Sequence, residues 1–141
     1  MTGKKGFTII ELTVVVGIFF LMISVLMPFA QMAKARYHKI TCANNLMRIS
    51  LALHSYAREH GGKFPEDIGA LYPDYVQDPE LFNCPATKKR GAQAEPEYLY
   101  AKGLKAGSRE VIVEDIDGNH GKAGKNVLRV DGTVEWVRSR Q

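Results

Sequence analysis

From Phe7 to Phe29 the chain reads FTIIELTVVVGIFFLMISVLMPF, and Glu11 is the only ionisable residue in that stretch. About 20 mostly apolar residues make a helix long enough to cross a bilayer. The run therefore constrains the chain more than any other segment, because it must be covered by lipid or by other apolar helices. Glu11 adds a second constraint. A lone carboxylate at the centre of a hydrocarbon span costs about 2.5–3.5 kcal/mol on insertion scales. No Lys, Arg or His lies within the run to offset it. A plain anchor has no use for such a residue, whereas a carboxylate that meets a positive partner escapes most of the penalty.

Beyond the run, Pro28 removes one backbone donor and is expected to bend or loosen the helix. Gln31 to His60 contains neither Gly nor Pro, and Cys42, Leu46, Ile49, Leu53 and Tyr56 recur at spacings of three and four. That is one apolar stripe on an amphipathic helix, with Lys34, Arg36, Lys39, Arg48 and Arg58 away from it. Gly61-Gly62 supplies the stop, with His60 beside the negative end of the helix dipole. A single helix of about 50 residues is the expectation.

A loop-rich connector follows. Pro65 at a first helical position predicts a short helix over Glu66 to Tyr72, which Pro73 stops. Tyr75, Val76, Leu81 and Phe82 are apolar anchors, and Thr87 to Pro96 reads as an exposed polar loop. Short β-rich runs predict strands at Tyr98–Ala101, Glu110–Glu114, Asn126–Val130 and Thr133–Arg138. Asp131-Gly132 between the last two predicts a two-residue hairpin turn. That register sets Val127 opposite Trp136 and Arg129 opposite Val134, with Leu128 and Val130 on the other face opposite Glu135 and Thr133. The expected fold class is α+β, a long N-terminal helix packed on a small antiparallel sheet.

The N-terminal residues also carry a resemblance. Lys5-Gly6-Phe7-Thr8-x-x-Glu11-Leu12 resembles the leader and first helical turn of type IV pilins and type II secretion pseudopilins. The resemblance implies cleavage by a prepilin peptidase between Gly6 and Phe7, with methylation of the new amine. It implies that Glu11 pairs with the Phe7 amine of a neighbouring subunit during assembly, and that Pro28 is the helix-kinking proline of the family. The division implied is a leader (1–6), a membrane and filament-core helix (7–29), its amphipathic half (30–62) and a globular remainder (63–141). The chain is also similar to a branch of pilin-like proteins with a C-terminal His-x9-Asp-Gly element. Here His120 and Asp131-Gly132 have ten residues between them, and Cys42-Ala43-Asn44-Asn45-Leu46 and Leu51-Ala52-Leu53-His54-x-Tyr56 look like that branch as well.

The implied partners are copies of the chain or other pilin-like subunits, the peptidase, an inner-membrane assembly platform and the lipid bilayer. The implied location is the cytoplasmic (inner) membrane, with the N-terminus in the cytoplasm and the globular part periplasmic or extracellular. Counting charges alone points the other way, since Lys34, Arg36 and Lys39 after the span outnumber Lys4 and Lys5 before it. Ala33-Lys34-Ala35 also offers a secretory cleavage site that would start the chain at Arg36. Two cysteines, Cys42 and Cys84, lie beyond the span. In an exported domain an even pair reads as a disulfide, worth about 4 kcal/mol in the chain-entropy model. The alternative is two unrelated buried thiols.

Other chemistry is weakly signalled. Asp115, Asp117, Asn119 and Asp131 gather oxygen ligands near Gly118, and calcium is the ion they would take. The EF-hand template fails, with the glycine early and Asn126 where the bidentate acid belongs. His54 and His120 belong to no Cys/His cluster with zinc spacing, and read as surface or capping residues. No phosphate loop, nucleophile elbow or paired-carboxylate arrangement marks an enzyme. The net charge of +4 does not demand a nucleic-acid partner. A DNA-uptake or adhesive minor pilin would need Lys88, Lys89, Arg90, Lys122 and Lys125 to form one cationic surface. A monomeric, membrane-tethered binding domain is the remaining alternative.

Overall fold

The protein is described by a computed structural model covering residues 6–87, 97–104, 108–116, 118–121 and 123–139. One helix, α1, spans Ile9–Glu59. Four strands follow: β1 Tyr98–Tyr100, β2 Val111–Asp115, β3 Lys125–Arg129 and β4 Val134–Val137. The fold is α+β, and it divides into two compact units, Met1–Lys34 and Ala35–Gln141.

In the first unit Thr8 caps the helix, its Oγ1 accepting the Glu11 N–H at 3.3 Å, which satisfies one of the orphan donors of the first turn. All residues from 6 to 37 are exposed. Thr13 and Ser24 turn their hydroxyls back onto the carbonyls of Ile10 and Leu21, each at 2.8 Å, so these polar groups are satisfied within the helix. Pro28 lies inside α1 and does not end it. By length and composition, α1 can cross a membrane.

The second unit is built on the C-terminal part of α1. Cys42, Leu46, Ile49, Ala52 and Leu53 form its buried stripe, packed with Ile68, Leu71, Leu81, Phe82, Val113, Leu128 and Val130. Gly61 and Gly62 take positive φ (65° and 82°), and the Gly62 N–H returns to the Ala57 carbonyl at 2.7 Å, closing the helix end. The connector is tighter than the sequence suggests. The expected helix over 66–72 shrinks to a 3₁₀ turn at Ile68–Leu71 whose cap is Asp67, accepting from the Gly69 N–H. Pro65 sits before that cap, and its carbonyl accepts a 2.6 Å bond from Tyr100 Oη. A second 3₁₀ turn, Pro79–Phe82, is capped by Asp78 and seats the anchors Leu81 and Phe82.

The sheet is an antiparallel meander in the order β1-β2-β3-β4. Its last hairpin corrects the expected register. Asn126 pairs with Trp136, Val127 with Glu135 and Leu128 with Val134. The connection is the three-residue loop Val130-Asp131-Gly132: Gly132 N–H donates to the Arg129 carbonyl at 3.0 Å and Arg129 N–H to the Thr133 carbonyl at 2.9 Å. Gly132 at φ 88° completes a turn with a left-handed last residue, the usual three-residue alternative to a two-residue turn. A one-residue slip exchanges faces. Leu128, Val134, Asn126 and Trp136 consequently share one side, and Val127, Glu135 and Val137 the other. Cross-strand pairing carries the first side through Val113 (opposite Leu128 and Tyr100) and Asp115 (opposite Tyr98), a face that meets α1.

Candidate functional site

The register brings a chemically dense cluster onto α1. Asp115 ends β2 on the helix-facing side and is fully buried. The Cys42 thiol, from the buried stripe of α1, donates to Asp115 Oδ1 at 2.7 Å. His120 Nε2, from the β2–β3 connection, lies 3.2 Å from Asp115 Oδ2 and 3.7 Å from Cys84 Sγ. One ligand atom from each of Cys42, Cys84, Asp115 and His120 lies within 4.8 Å of the others. Glu114, the neighbour of Asp115, points to the opposite face and pairs with Lys125 at 3.2 Å, as strand alternation requires.

The surrounding groups hold this cluster in place. Asp115 Oδ2 also accepts the Asn126 N–H at 2.8 Å, and Asn126 Nδ2 donates to the Lys39 carbonyl of α1 at 3.2 Å. Glu97 Oε2 accepts the Cys84 N–H at 2.9 Å and also bonds the Thr87 hydroxyl. The Trp136 ring meets His120 edge-on at 5.6 Å, and Lys39 Nζ lies 4.0 Å above Trp136. The two sulfurs are electrically unequal. Hydrogen bonding to Cys84, then burial and the Asp115 charge, push the Cys42 thiol far up. The neighbouring Cys42 sulfur and the Ala86 and Thr87 backbone lower Cys84, against burial and the Asp115 charge.

Two expectations are corrected here. Cys42 and Cys84 are free thiols in the structure, not the expected disulfide, and they share their surroundings with an acid and an imidazole. The calcium set does not assemble among the described residues. Asp115 faces the thiols, and Asn119 Nδ2 donates to the Glu97 carbonyl at 3.5 Å. Asp131 caps the hairpin loop through the Thr133 N–H and hydroxyl at 3.0 and 2.6 Å. Gly132 beside it lies against Ser50 and His54, about 12 Å along α1 from Cys42 at the helical rise. Asp117 lies outside the described residues. His120 is neither a surface nor a capping residue, and it stands apart from Asp131-Gly132, at the other end of β3. Zinc-type sequence spacing could not reveal this cluster, because its members come from four separate segments.

Gly6, Phe7 and Thr8 precede α1, Phe7 is exposed, and Glu11 lies in the first helical turn. Lys4 and Lys5 lie outside the described residues. So do Lys88, Lys89, Arg90 and Lys122 of the suggested cationic surface, together with residues 88–96 of the polar loop. No family model, curated protein or solved structure matches the chain.

Proposed function

We propose that the chain is a pilin-like (pseudopilin) structural subunit of a type II secretion or type IV pilus-like filament, made as a membrane precursor and cut after Gly6. The supporting observation is the pairing of an exposed apolar stretch of α1, Ile9 to Phe29, with a single carboxylate in its first turn. Lipid can cover the apolar side chains in the precursor, and neighbouring helices can do so in a filament. Neither satisfies Glu11. A new amine on Phe7 of an adjacent subunit would, by pairing opposite charges where water is scarce. In this reading the N-terminus is cytoplasmic in the precursor, and the unit beginning at Ala35 is periplasmic or extracellular.

The test is N-terminal sequencing of mature protein together with Glu11→Gln. The expected mature protein begins at Phe7, and E11Q is still trimmed but fails to enter filaments. A start at Arg36, or an E11Q variant that assembles normally, overturns the proposal. Cysteine crosslinking through Val16→Cys adds an independent readout: a filament gives a ladder of multimers, a tethered monomer does not.

A further inference from the structure

We propose that Cys42, Cys84, Asp115 and His120 bind one zinc ion, which fastens α1, the loop after Phe82 and the end of the sheet to one another. Zinc in structural sites takes four tetrahedral ligands at about 2.0–2.3 Å, giving ligand–ligand edges of about 3.3–3.8 Å. The Cys84–His120 edge of 3.7 Å lies in that range, and the His120–Asp115 edge of 3.2 Å lies just under it. The Cys42–Asp115 edge of 2.7 Å is a thiol hydrogen bond that opens when the thiol proton leaves. Two sulfurs, an imidazole nitrogen and a carboxylate oxygen, all within 4.8 Å of one another, suit zinc over calcium or magnesium, which want oxygen alone.

The charge pattern agrees. A carboxylate with no exposed surface is held by the Cys42 thiol, the Asn126 N–H and His120, and a divalent cation among these groups would offset its charge and that of two thiolates. Zinc entry releases the protons of Cys42 and Cys84 and leaves a net charge near −1. Donors face the atoms that keep it: the Asn126 N–H on Asp115 and the Ala86 backbone beside Cys84. Such outer contacts orient first ligands in metal sites. All four positions come from this chain and the site is buried, which marks a structural ion rather than a catalytic one. A Cys42–Cys84 disulfide is the competing chemistry, and it would leave Asp115 and His120 as a buried pair at 3.2 Å.

The experiment uses the full chain, purified in detergent with a reducing agent and no chelator. Elemental analysis is expected to find about one zinc per chain, and cobalt substitution to give the visible absorption of a tetrahedral thiolate site. H120Q and D115N should each weaken zinc binding at least tenfold, and chelation should lower Tm until zinc is restored. H120Q is the deciding variant if D115N does not fold, because it leaves both sulfurs and the buried acid in place. Protein that neither retains nor rebinds zinc overturns the proposal. So does a Cys42–Cys84 disulfide trapped by alkylation of freshly isolated material, with H120Q melting like the parent. Neither result bears on trimming at Phe7 or on filament entry, so the site and the proposed function fail separately.

Discussion

Asp115 and Tyr98 stand opposite one another across β1 and β2, and the face they share points at Cys42. Tyr98 Oη lies 3.5 Å from Cys42 Sγ, while Asp115 accepts from the same sulfur at 2.7 Å. Burial pushes the Tyr98 phenol well above its ordinary range, so it faces the cluster as a neutral group. One strand pair therefore joins the core of the sheet to the apolar stripe of α1.

Packing of that stripe should dominate stability. Leu46 is fully buried, whereas Met47 beside it is exposed. Leu46→Ala is expected to cost about 2–5 kcal/mol through lost burial and a residual cavity, and Met47→Ala less than about 0.5 kcal/mol. Urea unfolding followed by Trp136, the chain's one tryptophan, measures both.

Gly124 should be the least replaceable glycine before the last hairpin. Its φ is 142°, and an added Cβ would lie 2.3 Å from the Val137 carbonyl oxygen. Gly124→Ala must move backbone, and a loss above about 2 kcal/mol is expected. Gly61→Ala, at φ 65° with open space around it, should cost only the left-handed penalty of about 1–2 kcal/mol. The same unfolding assay ranks the two.

Removing the Asp67 carboxylate should loosen the connector. Its oxygen accepts the Gly69 N–H at 2.8 Å, a capping bond of a kind typically worth about 1 kcal/mol. Asp67→Ala should lower the unfolding midpoint accordingly, and Asp67→Asn should recover most of the loss.

Alkaline pH should destabilise the fold as it reaches the range in which tyrosines of the unfolded chain ionise. Burial, with Glu66 and Asp67 nearby, pushes Tyr100 up to about 12, and the bond to Glu59 pushes Tyr75 up to about 12. Both phenols are harder to ionise folded than unfolded. Their stabilising contribution is therefore complete below pH 10 and lost as pH rises from about 10 to 12. Tyr100→Phe should flatten that decline while costing about 1 kcal/mol at neutral pH for the lost bond to Pro65. Chemical denaturation at several pH values reads both effects.

Local pattern alone was enough for the apolar run from Phe7, the stripe from Cys42 to Tyr56, the Gly61-Gly62 stop and the approximate strand positions. Each is a periodicity or a turn residue that acts on its immediate neighbours. The last hairpin's register was not legible, because Asp131-Gly132 suits a two-residue turn or the end of a three-residue loop. Only packing of Leu128 and Trp136 on the helix side separates them. The cluster was less legible still. Cys42 and Asp115 are 73 positions apart, and no sequence spacing encodes a meeting made by helix packing, strand pairing and a connector folded back together. Periodicity decided which surfaces must be covered; the tertiary fold decided which side chains face each other once they are, since contacts between distant segments depend on the register and docking of whole elements.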